Sequence, residues 1–196
     1  MPYFIDATKE LILQQGHHFH AAVLGKPEGL ARPRSRIMRR AGTNNGNGPP
    51  NAGRIHVYCP SRSHQHQLRR VLRSGFGNPT RIVFPRDVGL DVDLQFFIAR
   101  PASHFFGSGP NQVKSFANLR PMFVTDDTRA YPIGTPDLDN LVKFVLDDPL
   151  EGLVYDNDRT IVKITSTKVF DDENDCSGRI IIDVCRHVRN EVIHIT

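Results

Sequence analysis

Strand-like and helix-like segments both occur along this 196-residue chain, and a fold that mixes the two is what three observations predict. Short apolar runs rich in β-branched residues recur, two segments place apolar residues at helical spacing, and Gly or Pro punctuates the junctions between them. A length of 196 residues with 39% hydrophobic content is enough for one core, so a single domain is expected.

Taken in order, His18 to Leu24 reads as a strand closed by the turn Gly25-Lys26-Pro27. An arginine-rich stretch follows, with Arg32, Arg34, Arg36, Arg39 and Arg40. Ala41 to Gly53 is dominated by Gly, Asn and Pro and is expected to be a flexible insertion between two strands. Arg54 to Tyr58 is the next strand. From Ser61 to Ser74, Leu68, Val71 and Leu72 fall on one side while Arg62, Arg69, Arg70 and Arg73 supply charge, which is the pattern of a basic amphipathic helix ending at Gly75. Leu90 to Ala99 alternates and then turns wholly apolar, as a central strand passing into burial does. Residues 101 to 135 read mostly as loop. Asp139 or Asn140 is the expected N-cap of a short helix carrying Leu141, Phe144, Val145 and Leu146, stopped by Pro149. Ile161 to Phe170 and Arg179 to Cys185 flank an acidic segment and read as a hairpin. The expected division is an N-terminal extension over 1–17, a domain over 18–186 carrying the 41–53 insertion, and a tail over 187–196.

Charge is uneven. Residues 1–125 hold 17 Lys and Arg against 6 Asp and Glu, a balance of +11, whereas residues 126–196 hold 8 against 15, a balance of −7. A basic half suits a polyanion, since cationic side chains gain affinity by displacing counterions from phosphates. No run approaches the roughly 18 apolar residues that span a bilayer, and the first residues lack a basic segment followed by an apolar core, so a soluble intracellular protein with no membrane partner is expected. Cys59, Cys176 and Cys185 show no Cys-x-x-Cys spacing and predict neither a disulfide framework nor a zinc site. His17-His18-x-His20 and His64-x-His66 lack partners at ligand spacing and read as strand-face or surface residues. The acidic stretch from Asp171 lacks the Gly at the sixth position and the Glu at the twelfth that a calcium-binding loop uses.

The chemistry concentrates in Pro136-Asp137-Leu138-Asp139-Asn140-Leu141-Val142-Lys143, followed by Tyr155-Asp156-Asn157-Asp158. Hard divalent cations take oxygen ligands, and Mg²⁺ is held by one or two carboxylates plus substrate phosphate oxygens. Asp137 and Asp139 are two apart, so in an extended segment both leave the same face. Lys143 stands one helical turn beyond Asp139, and Asp158 opens the following strand, from which a third carboxylate can return. Three carboxylates repel one another unless a cation is present.

As an ordered set these residues resemble the RusA family of Holliday junction resolvases, whose pattern is Lys-Pro-Asp-Ile-Asp-Asn-Leu-x-Lys, a short helix, a Gly, an aromatic residue and an Asp-Asp pair before a strand. Upstream, Val23-Leu24-Gly25-Lys26-Pro27 with Arg32-Pro33-Arg34, and Val57-Tyr58-Cys59-Pro60, are similar to the family's opening segments. The resemblance covers about residues 18 to 186. It implies an α+β fold with a small mixed β-sheet packed with helices, a homodimer, and paired nicking of four-way junction or other branched DNA with Mg²⁺ or Mn²⁺, leaving 5′-phosphate ends. Carried over by position, Asp137, Asp139 and Asp158 are the metal-binding catalytic aspartates, Lys143 the catalytic lysine and Asn140 a supporting residue. Arg32, Arg34 and Arg36, with Arg69, Arg70 and Arg73 on the basic helix, are the candidate DNA contacts. Four places depart from the family pattern: Thr135 replaces a Lys, Asn157 replaces the first Asp of the pair, 148–152 is one residue longer, and Arg159-Thr160 stands at the usual Ala/Ser-Gln position. A junction-binding module with weak or no catalysis is the alternative reading, and another phosphodiester substrate, flap DNA or RNA, is a third.

Overall fold

The computed structural model of the chain describes residues 3–5, 12–14, 17–29, 34–38, 54–58, 61–77, 84–107, 114, 116–123, 131–134, 136–172 and 178–188. The insertion expected over 41–53, Arg32, Cys59 and Cys176 lie outside them.

Alternation in the sequence builds a six-stranded mixed sheet. Its strands are β1 (Phe4–Ile5), β2 (Ile12–Gln14), β3 (His18–Leu24), β6 (Leu90–Ile98), β7 (Ile161–Phe170) and β8 (Arg179–Arg186); β4 (Arg34–Met38) and β5 (Arg54–Tyr58) form a separate antiparallel pair. The order is β1-β3-β8-β6-β7, with β2 also pairing with β3. Residues 4–5 and 12–14, N-terminal to the expected domain span, therefore belong to the same sheet. Leu90, Val92, Leu94 and Phe96 of β6, Ile180, Ile182 and Val184 of β8, and Phe19, Ala21 and Val23 of β3 are buried on one face. Helix α1 (Arg62–Gly75) adds Leu68 and Leu72 to that cluster, and α2 (Leu138–Val145) adds Leu141, Phe144 and Val145. The other face carries the intervening polar residues. There Asp183 Oδ1 meets His18 Nε2 at 3.1 Å and His20 Nδ1 at 2.7 Å, so these histidines are strand-face residues. Among the described residues no helix is long and apolar enough to cross a membrane.

β6 is central, as its pattern predicts, but the expected hairpin of β7 and β8 is corrected: β6 lies between them, parallel to β7 and antiparallel to β8. A parallel neighbour on one edge and an antiparallel one on the other cover both edges of the most apolar strand. The acidic segment after β7 consequently passes the end of β6, where the Asp171 N–H donates to the Ile98 carbonyl at 2.9 Å. Its first two acids meet buried arginines. Arg100 donates through Nε and Nη2 to the two Asp172 oxygens at 2.5 and 2.9 Å, and Arg179 lies 3.6 Å from Asp171. Both guanidinium groups also lie over aromatic rings, of Phe170 and Phe97 respectively. Part of the acidic half is thus internal counter-charge.

Gly25 closes β3 with φ +140°, and its N–H donates to the Gly178 carbonyl at 3.0 Å. A Cβ there would sit 2.6 Å from Tyr3 Cδ1. Gly25→Ala is expected to lose about 1–3 kcal/mol of stability through backbone strain and crowding, read as a lowered midpoint in urea denaturation.

Candidate active site

Helix α2 starts two to three residues earlier than the sequence suggests. Asp137 is the N-cap, with extended φ −67° and ψ 150°, and its side chain makes no capping hydrogen bond; Asp139 falls in the first turn and Lys143 in the last. The expectation that Asp137 and Asp139 share an extended face is therefore corrected: the chain bends into the helix between them. Exposed Asp139 and Lys143 face each other one turn apart, with Oδ2 and Nζ separated by 3.6 Å.

Beyond Val145 the helix widens instead of stopping. Leu146–Leu150 is a π-helical turn containing Pro149, which takes up the one residue by which this connection exceeds the family pattern. Proline brings no N–H to such a turn, and the open carbonyls are met by side chains from elsewhere. Gln65 donates to the Phe144 carbonyl at 3.2 Å, the buried Tyr155 hydroxyl to Leu146 at 3.0 Å, and Arg69 to Asp148 at 2.8 Å. Burial, then the negative charges of Glu151, Asp158 and Asp147, raise the Tyr155 hydroxyl far above its ordinary pKa and keep it a neutral donor.

The turn places Asp147 beside the motif. Partial burial, then the charge of Asp158, push its carboxyl above the usual range, while Lys143 pulls it down. Asp147 was missing from the sequence reading although its spacing was visible, four residues past Lys143 and eight past Asp139. Asp158 opens a 3₁₀ turn, Asp158–Thr160, that leads into β7. Asn157 caps this turn: its Oδ1 accepts the Arg159 N–H at 3.0 Å and its carbonyl accepts the Thr160 hydroxyl at 2.8 Å. Asp156 turns its charge into a two-point contact with Arg86, at 2.9 and 3.2 Å.

Lys168 had no local signal in the sequence. From β7 its Nζ donates to the carbonyls of Gly134 at 2.8 Å and Pro136 at 3.0 Å, fixing the chain just before Asp137. Gly29 packs against the same segment, so closely that a Cβ would lie 2.8 Å from Pro136 Cβ and 3.3 Å from Asn140 Cβ. The 25–29 turn and the acidic motif are thus in contact.

The structure pairs Asp139 with Lys143 and places Asp147 within the charge of both Lys143 and Asp158. It does not gather Asp137, Asp139 and Asp158 tightly: among the described residues no three His, Cys, Asp or Glu side chains form a group able to hold a metal. The donor chemistry nevertheless fits a hard divalent cation, since the carboxylates at hand are oxygen ligands, Asp137 makes no cap bond, and the Asp158 charge already raises Asp147. Of the candidate DNA contacts, Arg70 and Arg73 are exposed on α1, and Arg69 is engaged with Asp148. Arg34 and Arg36 lie on β4, opposite Tyr58 and His56 of β5.

The family model for Endodeoxyribonuclease RusA matches residues 31–184, most of the chain and all of the segment from β4 through Val184 of β8. The chain belongs to the RusA endodeoxyribonuclease family. At that level it is a nuclease of DNA recombination whose partner is branched DNA, and the mixed sheet with two helices is the α+β fold expected. No curated protein matches the chain.

Two measurements probe the mounting of the site. Tyr155→Phe leaves the buried Leu146 carbonyl without its donor and is expected to cost about 1–3 kcal/mol in chemical denaturation. Lys168→Met removes both bonds to the 134–136 segment from a half-buried strand position. It is expected to leave the melting temperature nearly unchanged and to slow junction cleavage by roughly tenfold to a hundredfold, because misplaced catalytic groups are costly at that scale.

Proposed function

We propose that this RusA-family member is a divalent-metal-dependent, structure-selective endodeoxyribonuclease that resolves Holliday junctions by nicking two opposed strands as a homodimer. The observation that carries the proposal is the charged face of α2, where Asp139 and Lys143 lie 3.6 Å apart and Asp147 and Asp158 act on the same ground. Asp137, Asp139 and Asp158 are the residues that would hold Mg²⁺ or Mn²⁺. When bound, the ion supplies Lewis-acid polarisation of the phosphate and acidification of water.

The remaining work falls to the chain. Lys143, exposed on the last turn of α2, neutralises charge that develops on the phosphate as the bond to the leaving oxygen breaks. Asp139 lies 3.6 Å from that ammonium group, and Asp147 is within reach of its charge. Asn140, packed against the Gly29 turn, supports the position of the motif. Arg70 and Arg73 on α1, with the arginines from Arg32 to Arg36, supply phosphate contacts that position the DNA without reading sequence. Hydrolysis then leaves 5′-phosphate and 3′-hydroxyl ends.

A cleavage assay on four-way, flap, linear duplex and RNA substrates, with Mg²⁺ and with EDTA, tests this. Paired nicking of the four-way junction in Mg²⁺ alone is the expected result. Asp139→Asn should abolish it with junction binding retained, and Lys143→Met should slow it by about 10²–10³-fold. Binding by the wild-type protein without nicking in any divalent cation would identify a junction-binding module instead, and undiminished cleavage by Asp139→Asn would remove the site assignment.

A further inference from the structure

Beside the charged face lies a pocket of about 610 Å³ whose wall includes Asp137 and Asn140. Its back is formed by Ile98 and Phe170, the last residues of β6 and β7, and its rim by Ile133 and Glu28. The volume falls in the range of small-molecule sites, which are mostly apolar with a few placed polar groups. The Phe170 ring is held before any ligand arrives, with the Arg100 guanidinium 4.6 Å from its centroid and the His104 ring edge-on at 5.4 Å. Ile133 is 89% exposed, a large apolar side chain left in water at the mouth of an apolar pocket.

We propose that this pocket receives the unstacked nucleobase next to the scissile phosphate, making it a subsite that senses branching and local sequence together. The inference rests on the nuclease reading of the Asp137 motif and adds a base-binding role to the same site. Asp137 is both a candidate ligand of the reacting phosphate's metal and part of the pocket wall, so a group seated here is attached to the nucleotide being cut or its immediate neighbour. An extruded base is held between flat apolar walls and read by hydrogen bonds at its edge. Phe170, Ile98 and Ile133 supply the walls, and the Asn140 amide supplies the polar edge, flanked by Lys26 and by the Glu28 carboxylate that His64 already engages. Branched DNA lowers the cost of extrusion, because bases at a branch point give up less stacking than those inside a duplex.

Junctions carrying 2-aminopurine singly at each position within two nucleotides of the cut provide the test, with wild-type protein in EDTA and fluorescence as the readout. A severalfold rise is expected at one position flanking the cut. Ile133→Asp, at an exposed site where folding is not at stake, should abolish the rise and flatten the preference among cleavage sequences in Mg²⁺. No rise at any position, in a protein that binds and cleaves junctions, overturns the pocket and leaves the nuclease standing. A rise that survives Ile133→Asp shows a base extruded elsewhere and overturns it equally. A rise lost in Ile133→Asp, from a protein that binds junctions but nicks none in Mg²⁺, upholds the base-binding pocket while removing the catalytic reading.

Discussion

The arrangement of this site depends on a helix that cannot finish its own hydrogen bonding. Pro149 sits inside the π turn and withdraws one backbone donor where the chain is already widened, and buried carbonyls without partners cost more than most side-chain contacts return. Gln65, Tyr155 and Arg69 meet three of these carbonyls. Two of the three donors come from α1 and one from the strand-side connection, so satisfying the turn also docks α2 onto the rest of the domain. Asp147 lies within this widened turn, and Lys143 one turn before it. An apolar replacement for any of the three donors would disturb the chemistry from outside the site.

Much of this was legible in the sequence because it is local. Alternation at Leu90–Ile98 marks a central strand, the Leu68/Leu72 spacing marks α1, and the ordered acids around Lys143 mark the charged helix. What was not legible is set by tertiary pairing. The β7 and β8 segments look like a hairpin because nothing in their own residues says that β6 will come between them. Lys168 looks like an ordinary strand lysine until the 134–136 segment is folded against it. Asp139 and Asn140 are themselves good capping residues, which puts the expected N-cap two to three residues late, and only the extended backbone of Asp137 distinguishes the true start. Asp147 is a different case: the four-residue spacing was there, but Pro149 drew attention to where a helix should end.

The acidic half proves less uniform than its net charge suggests. Asp171 and Asp172 are committed to buried arginines, Asp183 to His18 and His20, and Asp156 to Arg86. These acids are spent on partners of their own, so the net charge of the acidic half overstates what reaches the motif. The aspartate absent at position 157 fits this pattern, since Asn157 performs the capping function with a neutral oxygen.

β7 links the two ends of the site mechanically. One end of this ten-residue strand follows directly from the Asp158 turn, and Lys168 near the other end grips the carbonyls just ahead of Asp137. Its outer edge is the last in the sheet order. Any displacement of that edge strand would therefore act on both mounts at once, the Asp158 turn at one end and the segment before Asp137 at the other.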